Sequence, residues 1–164
     1  MPQPRYPLRI NVGFLIRQSI GASRDIPFEF PELTFRESEP GLGDELTFDS
    51  FAGVLHFGRT QQGLVVQGEF SGKTTLQCVR CLNDFSQPLS TTFDELYAFD
   101  YRSVSESGLI VPDDANIDFG PLVREYLLLE VPISPICRPD CKGLCPVCGE
   151  DLNRVVCAHA SQSE

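Results

Sequence analysis

The chain has 164 residues, 41% of them hydrophobic, and a formal charge of −10 from 13 basic and 23 acidic side chains. That length supports one real hydrophobic core with room for a small metal-held satellite. The acidic balance excludes a protein that grips phosphate backbones by bulk charge, so DNA is not an expected partner and any RNA contact needs a local basic patch or a protein intermediary.

In chain order, the N-terminal MPQPRYPLRINVGFLIRQ has three prolines and no apolar core of a signal peptide. No stretch approaches the ~20 apolar residues of a membrane span, so the expectation is a cytoplasmic protein with no membrane partner. Leu8 to Arg17 alternates loosely and reads as a strand turning into a short amphipathic segment around Ile16 and Ile20. Prolines at 27, 31 and 40 then punctuate the chain, which predicts one extended piece near Phe28 to Phe30, another near Leu33 to Phe35, and a loop from Glu37 to Asp44.

The clearest periodicity follows. Leu64, Val66, Gly68, Phe70, Gly72, Thr74, Leu76 and Cys78 share one face at period two, with Gln67, Glu69, Ser71, Lys73 and Gln77 on the other. This is a long, half-buried antiparallel strand bent at its glycines. Leu46 to Phe57 pairs with it through a turn at Gly58 to Gly63, and Phe85 to Phe99 supplies a third strand whose Pro88 puts its first part at an edge.

Asp100 to Ile117 reads as a mobile acidic loop interrupted by a short apolar stretch, Leu109 to Val111. Asp113, Asp114 and Asp118 lack the spacing and closing Glu of an EF-hand and read as solvated turns. Asp118 caps a helix near 119–130, with Pro121 in its first turn, Pro132 ending it, and an apolar face of Phe119, Leu122, Val123, Tyr126, Leu127 and Leu129. The expected fold class is α+β: an antiparallel β-rich domain with one packed helix over 1–132, a C-terminal zinc-ribbon-like cysteine module over 133–160, and a polar tail over 161–164.

Five of the seven cysteines fall between Cys137 and His159. Cys145-Pro-Val-Cys148-Gly149 is the Cys-x2-Cys-Gly turn of a zinc knuckle: its two thiolates converge on one ion, Pro146 pre-sets the turn and Gly149 permits a left-handed backbone. Cys78 and Cys81 form a second pair in a hairpin position and need partners from elsewhere. In a reducing compartment such pairs favour metal over disulfides. Seven cysteines and His159 make eight soft ligands, enough for two closed zinc sites. The preferred pairing joins Cys78 and Cys81 to Cys137 and Cys141, and Cys145 and Cys148 to Cys157 and His159. The alternative is a single ion on Cys137, Cys141, Cys145 and Cys148. His56, between Leu55 and Phe57, reads as a surface or hydrogen-bonded sheet histidine.

CVRCL at 78–82, LLLEVP at 127–132 and above all CKGLCPVCGEDLN at 141–153 resemble the YceD family, the large ribosomal RNA subunit accumulation proteins. The resemblance covers most of the chain from the glycine-rich hairpin onward. It implies a non-enzymatic factor needed for normal 23S ribosomal RNA accumulation or processing. Two departures matter. Relatives commonly finish with Cys-x-Cys where this chain has Cys157-Ala158-His159, and some lack the C-terminal cluster while keeping the pair equivalent to Cys78 and Cys81. The resemblance therefore implies that a metal in the tail stabilises without being essential.

On this reading the protein is not an enzyme, its zinc is structural, and its partner is a ribosomal protein or a pre-ribosomal large-subunit particle. Contact with 23S rRNA would use Arg80, Arg138, Lys142 and Arg154, the basic residues beside the cysteines, whose plainer role is to offset thiolate charge. A thiol redox protein using Cys78 and Cys81 is the alternative, but that pair joins two strands and lacks the helix N-terminus that activates such thiolates. A zinc hydrolase would need an open metal position and a general base, and the chain holds two histidines with no His-Glu-x2-His spacing.

Overall fold

The computed structural model describes residues 5–36 and 45–159; the expected loop at Glu37 to Asp44 and the polar tail lie outside the described residues. Among the described residues six strands and two helices follow one another: β1 (Arg9–Asn11), α1 (Gly13–Ile16), β2 (Ser23–Phe35), β3 (Leu46–Arg59), β4 (Gly63–Gln77), β5 (Asp84–Ala98), β6 (Asn116–Asp118) and α2 (Gly120–Leu129). Strands β2 to β5 make an antiparallel sheet whose spatial order is the chain order, and β1 pairs with β6 in a two-stranded sheet.

The inner face of the sheet is lined with aromatic rings, some of them lying directly over glycines of the neighbouring strand. Phe51 stacks on Phe70 at 5.5 Å, Phe70 on Phe93 at 6.3 Å, and Phe93 on Tyr126 of α2 at 4.9 Å. A bulge between Asp49 and Ala52 inserts an extra residue against β4, with Ser50 at φ 52°. It turns both Phe48 and Phe51 inward, although alternation alone would place them on opposite faces. Helix α2 touches both outer strands, β2 and β5, and buries Val123 and Leu127 against the sheet. After α2 the chain runs to the cysteine-bearing end, where Pro135 meets Val79.

Three expectations change. The pieces at Phe28 to Phe30 and Leu33 to Phe35 are one continuous strand, because β2 is an edge strand where Pro27 and Pro31 forfeit no required ladder bond. The polar stretch after β5 is not all loop: Ile110 bridges Ala98 in parallel, and Asn116 to Asp118 becomes β6. Phe119, not Asp118, occupies the N-cap of α2; the Asp118 carboxylate accepts the Gly120 N–H at 2.9 Å, and Leu129 is 75% exposed beyond the packed face. The long strand, its pairing with Leu46 to Phe57 and the edge position of Pro88 match the expectation. No helix among the described residues is long and apolar enough to cross a membrane.

Candidate metal centres

Antiparallel pairing of β4 and β5 ends at Gln77 opposite Asp84, and the connection between them carries Cys78 and Cys81. Leu82 adopts φ 58° and its N–H bonds the Cys78 carbonyl at 2.9 Å, folding the pair into a knuckle. The tail repeats this turn chemistry, with Gly149 at φ 76° and its N–H on the Cys145 carbonyl at 2.9 Å. Beyond Pro132 the chain runs back to the hairpin, where Val79 N–H donates to the Pro135 carbonyl at 2.9 Å. That return brings Cys137 and Cys141 over the first knuckle.

Two clusters of four soft donors result. Cys78, Cys81, Cys137 and Cys141 present their sulfurs within 4.8 Å of one another, and the sulfurs of Cys145, Cys148 and Cys157 lie equally close to one another and to a ring nitrogen of His159. Cys78 lies 3.8 Å from Cys141, and Cys81 lies 3.7 Å from Cys137. Thiolates held at about 2.3 Å from a central zinc form a tetrahedron with edges of about 3.8 Å, so these separations fit one ion, whereas a disulfide would need about 2.05 Å. The grouping is not that of a single site on Cys137, Cys141, Cys145 and Cys148.

A family model described as large ribosomal RNA subunit accumulation protein YceD matches residues 66–164. The chain belongs to the YceD family. An uncharacterised protein of Mycobacterium tuberculosis is 35% identical over 97 residues, 56% of this YceD chain and 46% of its own length. YlbN of Bacillus subtilis, also uncharacterised, is 32% identical over 83 residues, 49% of this chain and 48% of its own. Large ribosomal RNA subunit accumulation protein YCED homolog 1, chloroplastic, of Zea mays is 42% identical over 40 residues, 24% of this chain and 14% of its own. The match thus spans about half the length of the bacterial relatives. No solved structure matches the chain.

The cysteines sit in fields that separate them. Burial pushes the Cys78 thiol up, but the N–H groups of Cys81, Cys137 and Arg80 outweigh it and bring the group down to about 6. The N–H groups of Cys148 and Val147 bring Cys145 to about 6 as well. Burial opposes ionisation of Cys141, yet the Asn153 amide and the Gly143 N–H lower it overall. Cys137 goes the other way, pushed up to about 12 by burial and by sharing its proton with Cys141, Cys81 and Cys78. At Cys148 the Glu150 N–H favours the thiolate, but the neighbouring Cys145 outweighs it and raises the group. Backbone N–H groups aimed at sulfur are the arrangement that favours thiolate, the form that binds metal.

Residues outside the ligand sets fasten the arrangement. Asn153 donates to Cys141 Sγ at 3.4 Å while its Oδ1 accepts from Lys142 N–H and Arg138 Nη2, both at 2.9 Å. Asp151 accepts from Asn153 and, across to the hairpin, from Asn83 Nδ2 at 2.8 Å. Arg80 Nη1 reaches the Cys141 carbonyl at 3.1 Å. The sequence reading missed Asn83, Asp151 and Asn153; the Asp-x-Asn that follows Cys148-Gly149 signals the last two, and nothing in the local sequence marks Asn83. The basic side chains near the cysteines are drawn into this scaffold, Arg138 toward Asp140 at 3.5 Å and Arg154 toward Asp151 at 3.6 Å, so their ion pairs are with carboxylates. His56 bonds Asp25 at 2.7 Å on the sheet, apart from both clusters.

Proposed function

We propose that this chain is a non-catalytic factor supporting accumulation or processing of the large ribosomal RNA, shaped by two structural zinc ions. One ion would be held by Cys78, Cys81, Cys137 and Cys141, and the other by Cys145, Cys148, Cys157 and His159. The observation that carries the metal reading is the pair of sulfur separations at 3.7 and 3.8 Å within a set of four thiols. Each set supplies four protein donors, which leaves no coordination position for water or substrate. Zinc there would contribute folding energy and no chemistry.

The ribosomal part of the reading is supported by membership of a family described by large ribosomal RNA subunit accumulation, and by the maize relative that carries the same words in its name. A ribosomal protein or pre-ribosomal large-subunit particle in the cytoplasm is the partner this implies, with residues 133–160 acting as a zinc-ribbon-like module on the β-rich body. A thiol oxidoreductase is disfavoured because Cys78 is 0% and Cys81 4% exposed, beyond the reach of a disulfide substrate. Depletion of the protein in its source organism, followed by the ratio of large- to small-subunit rRNA, tests the proposal. A fall in that ratio is expected; an unchanged ratio overturns it.

A further inference from the structure

The charge of this molecule is divided along the chain. Its first 24 residues hold Arg5, Arg9, Arg17 and Arg24 and no Asp or Glu; taking their +4 from the chain's −10 leaves −14 on the other 140 residues. All four arginines are exposed. Between them stand Tyr6, 47% exposed, and Phe14, 39% exposed. The guanidinium groups of Arg5 and Arg9 each lie 5.7 Å from the Tyr6 ring centroid, and that of Arg24 lies 5.7 Å from the Phe14 centroid.

The topology gathers these side chains at one end of the sheet. Strand β1 is pinned by β6, α1 follows it directly, and Gly21 N–H bonds the Arg59 carbonyl at the end of β3 at 2.8 Å. The five steps along the chain from Arg9 to Phe14 reach at most ~18 Å. The cysteine knuckle stands at the other end of β4 and β5. Arg59 is committed to the Ile16 and Thr60 carbonyls, and Arg9 is shared with Asp114 at 3.7 Å. Arg5, Arg17 and Arg24 make no ion pair among the described residues.

Guanidinium groups stacked on exposed rings offer two complementary things at once: positive charge for a phosphate backbone and flat faces for unstacked bases. A duplex is poorly served, because α1 has four residues and cannot lie along a major groove. We infer that this N-terminal face binds single-stranded RNA, with Arg5, Arg9, Arg17 and Arg24 on phosphates and Tyr6 and Phe14 as stacking platforms. The choice of RNA over single-stranded DNA rests on the function proposed above; the charge and ring geometry do not. The face lies outside the residues that the family model matches.

The test is fluorescence anisotropy of the full chain with a labelled single-stranded oligouridylate of about 12 nucleotides, at salt from about 50 to 200 mM. Three or four phosphate contacts predict an affinity loss of about 20- to 50-fold across that range. The combined Arg5→Ala, Arg9→Ala, Arg17→Ala, Arg24→Ala variant should lose both binding and salt slope with an unchanged circular dichroism spectrum, since all four side chains are exposed. Tyr6→Leu with Phe14→Leu should weaken binding and leave the slope in place. No binding at the lowest salt, an undiminished affinity in the arginine variant, or binding to anionic phospholipid vesicles in place of RNA would each overturn the inference. A depleted strain whose rRNA ratio falls and is fully restored by the arginine variant would overturn it too, while leaving the proposed function intact.

Discussion

Cys78 Sγ stands 3.8 Å from Cys141 Sγ although 63 residues separate them. Strands β5 and β6 and helix α2 all lie between the two, so this meeting point registers whether that part of the chain has folded as well as whether a metal is present.

Protein purified without added metal should therefore contain zinc at both four-donor clusters, read by elemental analysis alongside native thiol alkylation. Cys141→Ser should empty the first cluster and Cys157→Ser the second. A chelator should strip the second first, because Cys148 and His159 are exposed while Cys78 and Cys141 are buried. Absence of zinc together with a readily formed Cys78 to Cys81 disulfide would defeat the metal reading.

The two glycines of the tail should differ in cost. Gly143 and Gly149 both adopt left-handed φ, at 75° and 76°, but a Cβ on Gly143 would lie 3.1 Å from the Arg80 carbonyl oxygen, whereas Gly149 has open space. Gly149→Ala should cost about 1–2 kcal/mol for the backbone alone, and Gly143→Ala more than that. Urea unfolding midpoints of the two variants measure the difference.

Tyr126 donates to Glu95 at 2.6 Å, and that hydrogen bond, with burial behind it, pushes the phenol from 10.0 up to about 12. A raised pKa means the fold favours the neutral phenol. Its contribution is complete below pH 10 and disappears as pH climbs toward 12. Tyr126→Phe should cost about 1 kcal/mol at neutral pH and flatten the alkaline limb of the stability curve, as followed by thermal melts across that window.

Gly68 of β4 is paired with Phe93 of β5, whose ring lies directly over it and leaves no room for a Cβ. Gly68→Ala should displace that ring from its stack with Tyr126 and lower the melting temperature. Adding Phe93→Leu should recover part of the loss, since the smaller side chain frees the space. A double variant no better than the single one would locate the damage in the backbone instead.

Legibility in the sequence followed period and spacing. Strand β4 was readable because fifteen residues of alternation are hard to mistake, and the cysteine knuckles because two thiols three positions apart leave few other uses. The continuity of β2 was hidden, since whether a proline breaks a strand depends on which edge it occupies. Phe51 was hidden for a related reason: the bulge that turns it inward shows up as a fault in the alternation. Asn83, Asp151 and Asn153 act only across the fold, and the N-terminal arginines are too widely spaced to read as a run until β1, α1 and Arg59 bring them to one end.

The pairing of Arg9 with Asp118 also dictates an order of events during synthesis. Strands β2 to β5 join neighbours through short connections and can zip up as they leave the ribosome, each hairpin soon after it is made. Strand β1, made before any of them, has no partner until residue 116 has emerged. Strand β1 therefore closes on β6 only after the hairpins of β2 to β5 can have formed, and the cysteine-bearing segment that docks on the β4–β5 hairpin comes later still.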